Sequence, residues 1–211
     1  MTEMVEASPK KRSLIPLIIL VLVFALPPLA SWVLYLNPQW LPAGRSNQGM
    51  LLQPPRSVDG IRLFSPQGEQ LIWTDLNDKW TLVVIGRGEC TGDCMERLFQ
   101  VRQIRRALGA QRQRVERLLI LLPQTGRPEA VLPPLEGHEG MRVGVVRAED
   151  AAGVEALFDV RDLSTDGRVF LIDPRKMLMM EHDTDVTTSK EILKDLERLL
   201  KASENWKTGS Q

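Results

Sequence analysis

Only two cysteines occur in this 211-residue chain, and they stand four apart in Gly86-Arg87-Gly88-Glu89-Cys90-Thr91-Gly92-Asp93-Cys94. Side chains at this spacing share one side of a helical turn, close enough for a disulfide if the first turn deforms slightly. Reduced, the same two sulfurs form a thiolate clip suited to a soft ion such as Cu(I). A helix N-terminus would add amide donors and partial positive charge, which lower a thiol's pKa. Glu89 and Asp93 act the other way: carboxylates disfavour a further anion and attract a cation, so the local charges suit metal capture better than a low-pKa attacking thiol. Three readings stay open for Cys90 and Cys94 from these residues alone: a redox pair, a Cu(I)-holding pair, and a structural disulfide of an oxidising compartment.

Each of these needs a strand-to-helix turn, and the flanking pattern predicts one. Residues 81–86 (TLVVIG) are a short continuous apolar run, as in a strand buried on both faces. Over residues 93–108 the apolar positions Cys94, Leu98, Val101, Ile104 and Leu108 recur at helical spacing. Residues 115–122 and 141–146 read as further strands, and 149–158 as a short helix. Residues 61–64 with 69–73, and 168–173 with 177–181, read as hairpins. Thr188-Ser189-Lys190-Glu191 is a capping box opening a last helix, whose stripe is Ile192, Leu193, Leu196, Leu199 and Leu200. With one more helix placed in 128–139, the order is hairpin, β, α, β, α, β, α, β, β, α. That is an α/β domain with a central mixed sheet.

Ahead of this domain, residues 14–36 hold no charge. As a helix rising about 1.5 Å per residue, the segment reaches roughly 34 Å, enough for a hydrocarbon core of about 30 Å. Lys10, Lys11 and Arg12 precede it, and the next charge is Arg45, so the positive-inside rule keeps the N-terminus cytoplasmic. Trp32, Tyr35 and Trp40 cluster at the far end as an interfacial belt would. The competing reading, a signal peptide cut at Ala30-Ser31, places Pro28 where a small residue belongs. The organisation expected is therefore a cytoplasmic 1–13, a transmembrane helix 14–36, a linker 37–57, a domain 58–203 and a tail 204–211. This single-pass topology puts the domain in the periplasm of a bacterial-type inner membrane.

Lysine plus arginine equals aspartate plus glutamate at 27 each, without the basic excess of a nucleic-acid binder. A hydrophobic content of 43% excludes global disorder, and two histidines exclude a histidine-rich metal site.

The stretch Leu76-Asn77-Asp78-Lys79-Trp80-Thr81-Leu82-Val83-Val84-Ile85-Gly86 leads into Cys90 and Cys94. Together with the hairpin before it and Val169-Phe170-Leu171-Ile172-Asp173-Pro174, it resembles the Sco/SenC family over roughly residues 58–200. The resemblance implies a membrane-anchored thioredoxin-like fold and a role in cytochrome c oxidase assembly. Its implied partner is an oxidase subunit or another assembly factor, and its implied copper(I) site uses both cysteines and a histidine shortly before the Phe-Leu-Ile-Asp-Pro strand. That histidine position falls near Thr165, and no histidine is there; Met95 follows Cys94 where the family has proline. Thioredoxin enzymes use C-x2-C and a cis-proline before the opposing strand, yet this chain has no proline between Pro134 and Pro174. Two further roles stay open beside copper delivery. One is a reductase keeping a partner's copper-ligand cysteines reduced, which predicts a solvent-accessible Cys90; the other is a non-catalytic assembly factor.

Pairing across the second hairpin sets His182 beside Gly167, at the cysteine end of the sheet, where it is either a compensating third ligand or an exposed strand-end histidine. His138, in the glycine-rich 136–140, reads as a solvated loop residue. Alternation puts Met177 and Met179 on one face and Met180 with His182 on the other, and these methionines read as core packing rather than Cu(I) ligands. Arg97, Arg102, Arg105, Arg106, Arg112, Arg114 and Arg117 read as a solvated face. The sharper alternative is a docking surface for an acidic membrane partner.

Overall fold

The computed structural model describes residues 14–37, 40, 47–71, 73, 79–124, 131–160 and 167–204. The chain divides into two compact units, Met1–Arg45 and Ser46–Gln211. The first contains helix α1 (Ile15–Leu36), 22 residues with no buried position, long and apolar enough to cross a membrane. Pro27 and Pro28 sit within it, and the Asn37 side chain donates to the Val33 carbonyl at its end, 2.9 Å away.

The second unit is built on strands β1 (Met50–Ser57), β2 (Leu63–Phe64), β3 (Gln70–Leu71), β4 (Trp80–Arg87), β5 (Val115–Leu122), β6 (Met141–Val145), β7 (Arg168–Ile172) and β8 (Met177–Asp183). They form one sheet in the order β1-β8-β7-β4-β5-β6-β2-β3. β4 runs parallel to β5 and antiparallel to β7, so the sheet is mixed. Helices α2 (Asp93–Ala107), α3 (Ala151–Phe158) and α4 (Ser189–Ala202) cover it. Period-2 alternation divides the apolar residues between the faces. Leu82, Val84, Leu119, Leu121, Val169 and Leu171 pack with α2 and α4, while Val83, Ile85, Leu118, Ile120, Phe170 and Ile172 pack with Val154 and Phe158 of α3. Burial on both faces is the reason β4 and β5 are almost unbroken apolar runs. The capping box forms as expected: Glu191 N–H donates to Thr188 Oγ1 and Thr188 N–H to Glu191 Oε2.

Four features depart from the sequence reading. Part of the expected linker 37–57 is structured, since β1 pairs antiparallel with β8. Its ladder shifts register between Leu51 and Arg56, where Pro54 and Pro55 have no N–H to donate, and an edge position tolerates this. No helix forms over 131–140, where Val131 instead bridges Glu89; 128–130 lie outside the described residues. His182 pairs with Val169 rather than Gly167. The turn closes with Asp173 N–H donating to the Met177 carbonyl, and Met179 is an extra residue where the register shifts. That bulge also breaks strict alternation, so Leu178 packs on the α3 side and Met180 on the α2/α4 side. Met180 is fully buried, in keeping with its reading as core packing.

Candidate thiol–disulfide site

β4 ends at the cysteine turn, and three glycines shape the approach. Gly86 is buried within β4, and a Cβ there would lie 3.1 Å from both Cys94 Sγ and Leu121 Cδ2. A bare backbone at this position lets the sulfur rest against the strand. Gly88 takes a left-handed φ of 67°, and its N–H donates to Leu122 O (2.8 Å) while its carbonyl accepts from Val131 N–H (3.0 Å). Gly92 (φ 52°) then turns the chain into α2 without a side-chain cap.

Cys90 and Cys94 are joined in a disulfide with a Cα–Cα separation of 5.2 Å, inside the usual range of about 4.4–6.8 Å. The pair does not share one helical turn, as the spacing suggested. Cys90 lies in the loop ahead of Asp93 and Cys94 in the first turn of α2, so the loop supplies the approach and the helix stays regular. Cys90 is 1% exposed within the α2/α4 core, whereas Cys94 is partly exposed. Solvent therefore reaches the pair from the Cys94 side, the reverse of the accessible Cys90 expected of a reductase. Glu89 and Asp93 are both exposed beside it.

His182 is 1% exposed and faces α4. Its Nε2 lies 3.2 Å from Asp195 Oδ2, and the same oxygen accepts Gln48 N–H (2.7 Å) and Gly49 N–H (2.9 Å). A Cβ on Gly49 would fall 2.5 Å from that Nε2. Burial holds the His182 pKa below its ordinary value of 6.5, and the Asp195 hydrogen bond and charge only partly offset this. The histidine is thus neither exposed nor free to reach the sulfurs without giving up Asp195. Asp195 was missed from sequence, although an acid between Ile192 and Leu196 in an apolar stripe is the signal that finds it.

Among the described residues, no group of three or more His, Cys, Asp or Glu side chains converges to hold a metal. Thr165 lies outside the described residues. Reduction would free two sulfur donors, so the described donor set fits a thiol pair and falls short of a three-ligand copper site.

A disulfide at the turn between a central strand and a helix, on a mixed sheet with helices on both faces, defines a thioredoxin-like protein. Residues 80–203 match the family described as a transmembrane-like, thioredoxin-like, C-terminal domain, and the chain belongs to that family. No curated protein matches it. The fold is similar to that of apo Sco1 from Thermus thermophilus, with a TM-score of 0.57 and 19% identity over 74% of this chain and 99% of that one. Yeast Sco1 with copper bound gives 0.54 and 14% over 75% and 96%. A thiol:disulfide interchange protein from Bacteroides sp. gives 0.53 and 11% over 71% and 91%. At such identities the likeness establishes the fold.

Proposed function

We propose that the chain is a membrane-anchored thiol–disulfide factor of cytochrome c oxidase biogenesis, with its globular unit in the periplasm. The observation that carries the chemistry is the asymmetric disulfide, with Cys94 partly exposed and Cys90 buried behind it. In the reduced protein the Cys94 thiolate attacks a partner's disulfide, forming a mixed disulfide and releasing one partner thiolate. The Cys90 thiolate then attacks Cys94 Sγ, displacing the second partner thiolate and closing Cys90–Cys94. Two electrons pass to the partner, its two sulfurs take up two protons, and an upstream dithiol must re-reduce the pair. The position of Cys94 in the first turn of α2 supports the attack, because helix-terminal amides stabilise a thiolate. The partner class is an oxidase subunit or another assembly factor whose copper-ligand cysteines must be kept reduced. Cu(I) as a cargo held by Cys90 and Cys94 is the second reading, supported by the copper-bound Sco1 of the same fold. In that reading His182 is the third ligand only if it leaves Asp195.

Trapping tests this. In the detergent-solubilised full chain, Cys90→Ser is expected to accumulate a mixed disulfide through Cys94, whereas Cys94→Ser is expected to accumulate little. If oxidase assembly persists with both cysteines replaced by serine, the exchange reading fails and the non-catalytic assembly role replaces it. Tight anaerobic Cu(I) binding lost in His182→Ala would favour cargo delivery.

A further inference from the structure

A second polar site lies away from the cysteines, where α2, the turn 109–114, the start of β5 and the loop before β6 meet. Arg102, Arg105, Arg106, Arg112, Arg117 and Glu139 line a cavity of about 120 Å³, well beyond the roughly 10–15 Å³ a single water needs. Five guanidinium groups thus face one carboxylate, and Glu139 Oε1 already accepts the Gly137 N–H at 3.1 Å. Arg117 is the decisive residue. It projects from β5 on the α2 side, opposite Leu82 in the register, roughly 13 Å along the sheet from the Gly86 level. It is 3% exposed, and one amino group, Nη2, donates to the Glu139 carbonyl (2.6 Å), while Nε and Nη1 are buried with no partner among the described residues. The Arg102 Nε is likewise buried without one.

Buried guanidinium donors do not stay unpaired cheaply, and clustering like charges adds to the cost. Burial and the neighbouring Arg105 and Arg102 push the Arg117 pKa down. The surroundings are arranged for close approach. Gly137 and Gly140 both have left-handed φ values, and a Cβ on Gly137 would stand 3.4 Å from Arg102 Nη1. His138 between them is buried beside these arginines rather than solvated, and burial followed by the charges of Arg102 and Arg117 keeps it from adding another cation. No described ion pair neutralises any of the five arginines, nor is the stretch the uniformly solvated face that its spacing suggested.

We propose that this cavity is an oxyanion site that takes a phosphate group, either free phosphate or the phosphate of a small ester or lipid headgroup. Planar guanidinium forks match tetrahedral phosphate oxygens with paired hydrogen bonds, and a bound dianion would satisfy the orphaned Arg117 donors while offsetting the cluster's charge.

Calorimetry on the full chain in neutral detergent tests it, titrating inorganic phosphate against a chloride buffer of equal ionic strength. Saturable one-to-one binding is expected, lost in Arg117→Gln and weakened at least tenfold in the Arg102→Gln/Arg106→Gln double variant. Arg175→Gln, on an exposed turn, is expected to leave it unchanged. If Arg117→Gln does not fold, the double variant decides. A parallel titration with glycerophosphoglycerol assigns the source: binding within a few-fold of phosphate identifies a lipid-type diester site, and no binding identifies a site for dianionic phosphate. Heats no larger than the chloride control, or equal affinity in the double variant and in Arg175→Gln, would overturn the proposal.

Discussion

Gly86 governs how the disulfide sits, because its missing side chain is the space that Cys94 Sγ and Leu121 share. Replacing it with alanine forces contacts of 3.1 Å on both, and overpacking of this kind costs roughly 1–3 kcal/mol. The expected outcome for Gly86→Ala is lower stability of the oxidised protein, with a smaller loss after reduction, when the sulfur can move away. Urea titrations of the two redox forms check this. The unequal burial of the sulfurs predicts a second result: after reduction, iodoacetamide labels Cys94 well before Cys90, as peptide mapping would show. Equal labelling would remove the basis for assigning Cys94 the attacking role. The position that delivers Cys94 was legible as the end of an apolar run ahead of a C-x3-C pair. Which sulfur faces solvent was not, since burial depends on how α2 lies across β4.

The clamp between α4 and the chain entering β1 joins elements 146 residues apart. Asp195 is buried and accepts two backbone N–H groups and a histidine hydrogen bond, so Asp195→Ala would strand all three donors. Leaving a buried donor without its acceptor costs about 1–3 kcal/mol for each group. The expected result is a large drop in the denaturation midpoint, accompanied by faster amide exchange across β1 before global unfolding. A loss spread evenly over the sheet would argue against a clamp specific to β1. The same element carries a pH dependence. His182 has a folded pKa below 6.5, so the folded state binds fewer protons than the unfolded chain once the pH drops below that value. Its contribution is present in full above about pH 6.5 and is lost as the pH falls toward the folded value. Stability is therefore expected to decline from about pH 7 to pH 5, and His182→Gln should flatten that slope. His138 shifts in the same direction, so part of the slope remains in the variant. An unchanged slope would assign the whole effect elsewhere.

The two units differ in what they bury. Helix α1 buries none of its 22 residues, while among the described residues the buried core lies in the second unit. A helix of this length and apolar composition fits a hydrocarbon solvent. The full chain is accordingly expected in the membrane fraction, resisting carbonate and released by detergent. A fragment from residue 46 onward should remain soluble and keep the disulfide. Proteinase treatment of spheroplasts tests orientation, with digestion of the globular unit expected and protection contradicting the periplasmic placement.

Local pattern was enough for the main elements of this protein. Continuous apolar runs marked β4 and β5, helical spacing marked α2, and the Thr188–Glu191 pair marked the start of α4, because each signal arises from neighbours within a turn or a strand. The cysteine turn was legible for the same reason. Other features depend on partners distant in sequence. The stretch 50–57 looks like a tether until the free edge of β8 supplies its hydrogen bonds. A turn closed between Asp173 and Met177, together with the one-residue bulge at Met179, moves His182 from the level of Gly167 to that of Val169, and Asp195 then takes its imidazole. The arginines read as a solvated row from spacing alone, yet folding α2 over β5 turns several of them inward around Arg117. Periodicity reports which face a residue occupies, while only the packed chain decides what that face meets.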